Sequence, residues 1–133
     1  MMIYRHLFAY NLPELCEHFE LEKIQPRAYL YSWFMTIFSR TFSIKLTTRV
    51  WDLFLIDGVI VLFQTAIAIL RTLEKEMLDA EFEDILPMLS KVNDYLLEED
   101  EDDFIKSMYQ VSFPKWVYDE IPILEAEFQR QEG

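Results

Sequence analysis

Hydrophobic and polar positions follow a helical period in two segments between residues 12 and 40. Leu12, Leu15 and Phe19 fall on one face of a predicted helix. Asn11 is suited to cap that helix, and Pro13 is suited to its first turn. A second apolar stripe, with the i, i+3, i+4 spacing of an amphipathic helix, occupies residues 27–40. Its members are Leu30, Trp33, Phe34, Ile37 and Phe38.

Residues 47–70 form the most apolar part of the chain. Thr47 is predicted to cap a helix that ends near residue 56. The dipeptide Asp57-Gly58 between two apolar runs is also the strongest short signal for a β-hairpin. Strict alternation is missing, however, and the helical period continues to residue 78. We therefore predict that Gly58 is a left-handed residue ending one helix, and that a second helix covers residues 59–78.

Helical signals persist in the second half of the chain, where Pro87 is expected to kink or restart a helix. A last helix is predicted to begin at Pro114 and to bury four apolar side chains, namely Trp116, Val117, Ile121 and Leu124. Two glycines and five prolines are too few for the turns of an all-β protein. The sequence therefore predicts an all-α bundle of about seven helices, forming a single domain over residues 1–133.

Composition and charge exclude several classes of protein. The longest uncharged run, residues 58–70, has 13 residues, whereas a membrane-spanning helix needs about 20. The N-terminus lacks the apolar core of a signal peptide, and one cysteine makes no disulfide framework, so a cytosolic compartment is expected. Residues 71–133 carry the entire net charge of −12, so neither nucleic acid nor anionic lipid is an expected partner.

Candidate chemistry is sparse. Cys16 and His18 occupy alternate positions of a helix, where side chains diverge, so neither a nucleophile pair nor a metal site is expected. The acidic run at residues 98–103 lacks the alternating pattern of a calcium-binding loop. We expect a solvated loop there, with its last carboxylates at the N-terminus of the next helix. No cofactor motif, metal site or catalytic residue is predicted.

Arg49 and Asp52 pose a separate problem, because they flank Trp51 within an apolar segment. As an i, i+3 pair on one helix they would contribute only about 0.2–0.5 kcal/mol. We expect instead that each side chain bonds to other elements and fixes the register between helices, with Trp51 packed beside them.

A family resemblance is carried by elements that stand in order over residues 12–75. These are Leu15-x-x-His18, Trp33-Phe34-x-Thr36-x-Phe38, Arg49-x-Trp51-Asp52-x-Phe54, Gly58 and Leu62-Phe63 followed by Ala66 and Leu70. Together they resemble the C-terminal half of a TBC domain, the Rab GTPase-activating fold. Residues 76–133 then correspond to an acidic, variable helical end.

The resemblance implies an all-α, V-shaped domain that binds a Rab-type GTPase in its GTP state. Such domains supply an arginine finger from Ile-x-x-Asp-x-x-Arg and a glutamine from Tyr-x-Gln, both in the N-terminal half. In these 133 residues no arginine has aspartate three positions before it, and no tyrosine has glutamine two positions after it. By the same resemblance Arg49 belongs to a structural element and is not the finger.

The expected role is therefore a scaffold half of a GTPase activator, without catalysis by this chain alone. Its expected partners are the N-terminal half of the domain and, through the parent protein, a Rab GTPase in vesicle trafficking. Contact with endomembranes is expected only through that GTPase. The alternative is a non-catalytic TBC-like module that binds GTPases or adaptors.

Overall fold

The computed structural model of the chain describes residues 2–35, 38–39, 42–96 and 100–132, with side chains for all of these except 2, 124 and 127–132. Within these ranges it contains eight α-helices, separated by turns and short 3₁₀ helices, and no β-strand. This confirms the predicted all-α class. The α-helices are α1 (Met2–Asn11), α2 (Pro13–Leu21), α3 (Leu30–Met35), α4 (Ile44–Asp57), α5 (Ile60–Leu78), α6 (Phe82–Ser90), α7 (Glu101–Tyr109) and α8 (Lys115–Glu132).

Helix α5 lies at the centre of the molecule, in contact with α1, α2, α3, α4 and α7. Every residue from Thr65 to Leu70 has no exposed surface. The Thr65 hydroxyl is satisfied within the helix, because it donates to the Val61 carbonyl at 2.7 Å. A helix that is apolar on all sides is typical of a protein core. Among the described residues, none of the helices combines the length and hydropathy that a membrane crossing requires.

The junction between α4 and α5 is where the sequence predicts it. Gly58 has φ +81° and ψ −154°, and its N–H bonds to the Phe54 carbonyl, so it ends α4. The predicted cap at the other end of α4 is wrong. Ser43 caps the helix by accepting a hydrogen bond from the Leu46 N–H at 3.2 Å, whereas Thr47 lies one turn inside it. Both residue types cap helices, and the earlier one begins this helix.

Replacing Gly58 by alanine is expected to lower the free energy of unfolding by about 1–3 kcal/mol, because its backbone conformation is nearly exclusive to glycine. Urea unfolding measures this loss. An added Cβ would also meet the Glu125 carboxylate, which sits at the end of a flexible side chain and can rotate away. The matched comparison is therefore Gly58→Ala in a Glu125→Ala background. If the loss disappears there, side-chain crowding rather than backbone strain is its cause.

The N-terminal residues form a helix, α1, that the sequence does not predict. Leu12, Leu15 and Phe19 are buried as predicted, but α2 has no side-chain cap. Asn11 is instead the last residue of α1, and its amide nitrogen donates to the Ser112 carbonyl at 2.9 Å. Its amide oxygen accepts from the Ser112 N–H at 2.8 Å. The prediction that Asn11 caps α2 is therefore wrong. Its side chain is instead bonded to Ser112, which is 101 positions away in the sequence.

The helix predicted over residues 27–40 is shorter than expected. Residues Pro26–Ala28 form a 3₁₀ turn, and α3 covers only Leu30–Met35. Phe38 has φ +64°, which no right-handed helix can contain, and its N–H bonds back to the Trp33 carbonyl at 2.8 Å. Leu30, Trp33 and Phe38 are buried as predicted, Phe34 is half-buried, and Ile37 lies outside the described residues.

Two expectations concern the second half of the chain. Helix α6 continues through Pro87, so the helix does not restart there. The carbonyl left without its N–H partner belongs to Glu83, whose side chain is exposed to water. The predicted burial of Trp116 is wrong, because it is 42% exposed. Its ring packs edge-on against His6, with ring centroids 5.2 Å apart, at the junction of α1 and α8. Val117 and Ile121 are buried as predicted, while the Leu124 side chain lies outside the described part.

Candidate partner-binding surface

Helix α4 has apolar residues on two faces. Its inner face carries the buried Leu46 and Val50. Its outer face carries a second stripe at i, i+4, i+7, i+11 spacing, in which Ile44 is 87% and Leu55 is 79% exposed. The members of this α4 stripe are Ile44, Thr48, Trp51 and Leu55. Exposed apolar side chains that line up along one helix indicate a surface for a partner.

The α4 stripe borders a shallow groove of about 310 Å³. Ser39, Thr47 and Asp52 complete the lining, so its single charged group is one carboxylate at the edge. Trp51 is 45% exposed, which places its indole on this surface and not in the core. The groove holds no pair of titratable groups that could exchange a proton. Its chemistry fits apolar contact with another protein surface.

Arg49 points away from Asp52 and reaches a different helix. Its guanidinium pairs with the Asp102 carboxylate of α7 at 2.7 Å. The side chains are 38% and 82% exposed, so the pair stabilises the fold by at most about 1 kcal/mol. Its role is to orient α7 against α4. Asp52 is exposed and has no hydrogen-bond or ion-pair partner among the described residues.

The acidic run is attached to α4 at a second point. Glu101 is only 6% exposed, and its Oε2 accepts a hydrogen bond from the Ser43 hydroxyl at 3.2 Å. Its Oε1 is buried with no partner in the described part of the chain. Three acids do occupy the first turn of α7 as predicted. The expectation of a wholly solvated run is wrong, because Glu101 is hydrogen-bonded to Ser43 and Asp102 is paired with Arg49. Residues 98 and 99 lie outside the described ranges.

The remaining described residues that carry the family resemblance are buried or half-buried. His18 Nε2 is 2.7 Å from the Ala80 carbonyl, and the Trp33 indole N–H donates to the Leu89 carbonyl at 3.1 Å. Phe34 packs edge-on against Phe63 of α5 at 5.6 Å and against Phe38 at 6.1 Å. These contacts tie α2 and α3 to the central and following helices. The signature residues are therefore dispersed, and only Trp51 and Asp52 border the α4 groove.

The helical spacing of the α4 stripe is visible in the sequence, but the sequence does not show that this face of α4 is exposed. Ile44, Thr48, Trp51 and Leu55 have helical spacing, yet the buried face of α4 is equally apolar, so periodicity cannot show which face is exposed. The contacts of α7 with α4 join residues more than 50 positions apart. No local pattern contains that information.

Comparison with known proteins identifies the family. The family model for the Rab-GTPase-TBC domain matches residues 1–78. Human ecotropic viral integration site 5 protein homolog is 32% identical over 103 residues, which is 77% of this chain and 13% of that protein. TBC1 domain family member 12 of Xenopus tropicalis is 38% identical over 92 residues, or 69% of this chain and 14% of that protein.

A third relative has a similar degree of identity. Drainin of Dictyostelium discoideum is 32% identical over 88 residues, which is 66% of this chain and 20% of that protein. The chain thus spans between 13% and 20% of the length of these three relatives. The family model covers more than half of the chain, and the matched residues contain α1 to α5. The chain therefore belongs to the Rab-GTPase-TBC domain family.

Proposed function

We propose that this chain is the C-terminal, scaffold half of a Rab GTPase-activating domain. In this role it binds the N-terminal half of the domain and helps to form the wall that faces the GTPase. The family membership supports the reaction class, which is acceleration of GTP hydrolysis. The outward α4 stripe is the observation that carries the proposal, because a helix apolar on both faces is suited to lie between two packed bodies.

The catalytic groups of the domain are proposed to lie outside these 133 residues. The motif Ile-x-x-Asp-x-x-Arg and the motif Tyr-x-Gln are both missing from these residues. Arg49, the arginine of α4, binds Asp102, and Arg71 donates to the Ser107 carbonyl at 3.3 Å. Both guanidinium groups serve contacts between helices. This arrangement supports a scaffold role for them and not a finger that enters a GTPase.

Single-turnover GTP hydrolysis by a panel of Rab proteins tests the proposal. This chain is compared with a longer chain in which the N-terminal half of a relative's TBC domain precedes it. An arginine finger accelerates hydrolysis by about 10³–10⁵, so the longer chain is expected to approach that effect on at least one Rab. The 133-residue chain is expected to leave the intrinsic rate unchanged. Acceleration by the short chain would show that it carries catalytic groups of its own.

The contribution of the α4 stripe is tested by Leu55→Asp in the longer chain. We expect at least about a tenfold loss of acceleration, because burying an unpaired carboxylate in the interface costs more than the roughly 1.4 kcal/mol that corresponds to tenfold. Leu21→Asp is the matched control, since Leu21 is 75% exposed and lies on α2. Equal losses from the two variants would show that the stripe is not the interface.

A non-catalytic module that binds GTPases or adaptors is the second candidate. The absence of both motifs from the 133 residues is the observation that favours it. The two functions separate in the same assay, because a module of this kind binds a Rab loaded with a GTP analogue without changing its hydrolysis rate. If neither the short nor the longer chain accelerates hydrolysis while binding is retained, this second function replaces the first.

A further inference from the structure

A further cavity lies away from the α4 groove. It has a volume of about 590 Å³ and is formed by α1, α2 and the turn that follows α2. Pockets that bind small molecules usually have volumes of about 300–1,000 Å³. The proposed GTPase-activating role does not use this cavity, and its lining shares no residue with the α4 groove.

The floor of the cavity is apolar. Phe8, Phe19, Ile24 and Tyr29 line it, and each of them is at most 6% exposed. Phe8 and Phe19 pack edge-on with ring centroids 5.2 Å apart, and Phe19 meets Tyr29 in the same way at 6.2 Å. These rings belong to the core, so the floor does not collapse into the space above it. An aliphatic or aromatic body would be in contact with them.

The rim of the cavity is cationic in a chain whose net charge is −12. Arg5 and Lys23 are both exposed there, and neither forms an ion pair or side-chain hydrogen bond with any other described residue. Glu20 is the single carboxylate of the lining. The other titratable groups are the His6 ring and the Cys16 thiol, together with the Tyr29 hydroxyl, which is bonded to Tyr4. With neutral histidine the rim carries one net positive charge, which suits a monoanion.

The backbone at Lys23 is a second, independent observation. Lys23 has φ +59°, and two hydrogen bonds close the end of α2 around it. Its N–H bonds to the Glu20 carbonyl at 3.2 Å, and the Ile24 N–H bonds to the Phe19 carbonyl at 2.8 Å. This is the Schellman arrangement, whose left-handed position is usually glycine. A lysine held there against its conformational preference places an ammonium group on the rim.

We propose that this cavity binds a small amphiphilic monoanion, with a linear alkyl or aryl body on the aromatic floor and a carboxylate between Arg5 and Lys23. The inference is independent of the GTPase-activating role. A monocarboxylate fits better than a phosphate dianion, because Glu20 leaves only one net positive charge at the rim. The apolar floor and the charged rim must both be occupied for binding, so a neutral or cationic analogue of the same length binds more weakly.

The cavity contains its own reporter, because Cys16 lines it and is the only cysteine of the chain. The rate at which iodoacetamide alkylates Cys16 is measured in the 133-residue protein with decanoate, decan-1-ol or 1-aminodecane. Saturating decanoate is expected to slow alkylation at least about fivefold by blocking access to the thiol. The alcohol and the amine are expected to protect weakly. Calorimetry is expected to show one decanoate bound per chain.

Two variants test the rim. Lys23→Gly removes a cation while relieving the left-handed strain, so its thermal midpoint is expected to equal or exceed that of the wild type. Lys23→Gly and Arg5→Gln are each expected to weaken decanoate binding about two- to fivefold. Arg27→Gln, at an exposed arginine outside the lining, is the matched control and should bind like the wild type.

The outcomes separate clearly. Selective protection by decanoate, weakened in Lys23→Gly, supports the site. Equal protection by the alcohol, or unchanged binding in both rim variants, overturns the assignment of an anion. Failure of decanoate to protect Cys16, or binding of several molecules per chain, overturns the pocket itself. None of these results depends on GTP hydrolysis, so failure here and failure of the proposed function are distinguishable.

Discussion

Replacing Leu70 by alanine is expected to lower the free energy of unfolding by about 2–5 kcal/mol. Leu70 lies in α5 and has no exposed surface, and α5 is in contact with five other helices. Removing its side chain leaves a cavity that the close-packed neighbours fill only in part. Since the total stability of a domain is about 5–15 kcal/mol, this one substitution removes a large fraction of it.

The same chemical change at Leu55 is the control. Leu55 is 79% exposed on α4, so Leu55→Ala is expected to change the stability of the 133-residue chain by less than about 0.5 kcal/mol. Urea unfolding of both variants measures the difference in their free energies of unfolding. The slope of the free energy against urea concentration is expected to be similar in the two variants. Equal effects at the two positions would contradict the placement of α5 at the centre and of the α4 stripe at the surface.

Alkaline conditions are expected to destabilise the chain through two buried tyrosines. The Tyr4 and Tyr29 hydroxyls are 2.6 Å apart and hydrogen-bonded inside the core. Burial raises the pKa of Tyr4 well above its usual value of 10.0, and the Tyr29 hydroxyl adds to that rise. Burial also raises the pKa of Tyr29, although its hydrogen bond with Tyr4 opposes part of the change.

The sign of the pH effect follows from these shifts. A raised pKa in the folded state means that stability is complete below pH 10 and is lost as the pH rises above it, because only the unfolded chain then releases the proton. Well above pH 10, each tyrosine costs about 1.4 kcal/mol for each further pH unit. Because a tyrosine of the unfolded chain is only half ionised at pH 10, the free energy of unfolding measured with urea is expected to fall by about 2 kcal/mol between pH 10 and pH 11.

The double variant Tyr4→Phe/Tyr29→Phe tests whether these two tyrosines cause the loss of stability at alkaline pH. Replacing both hydroxyls keeps the shape of the core and is expected to be nearly neutral at pH 7, whereas Tyr4→Phe alone leaves the Tyr29 hydroxyl buried without its partner and costs about 1–3 kcal/mol. The double variant should lose less stability at alkaline pH. The pKa of the Cys16 thiol is also raised by burial, but that contribution is present in both proteins. An unchanged alkaline slope would refute the assignment to these tyrosines.

The parts of the fold that the sequence predicts well are those set by local chemistry. Gly58 interrupts an apolar run with a conformation that other residues avoid, so the junction between α4 and α5 is placed correctly. The stripe of Leu12, Leu15 and Phe19 is buried because its spacing leaves only one apolar face. The family resemblance is also confirmed, since its signature consists of residues at fixed separations within one segment.

The predictions that are wrong concern side chains whose partners are distant in the sequence. Asn11 has the chemistry of a cap, yet Ser112 binds it. Glu101 belongs to a run of acids that is predicted to be solvated, yet its side chain is buried and accepts a hydrogen bond from Ser43. Trp116 is apolar enough for a core, but the packing of α8 places it beside His6 at the surface. Each of these outcomes is decided by helix packing, which no local pattern encodes.

The link between Asn11 and Ser112 also has a kinetic consequence. It joins residues 101 positions apart with two hydrogen bonds, and we expect it to form after the helices between them have packed. Closing so long a loop costs little more than closing one of half the length. Interactions that form late slow unfolding without speeding folding. We therefore expect this amide to prolong the lifetime of the folded state while leaving the time needed to reach it unchanged.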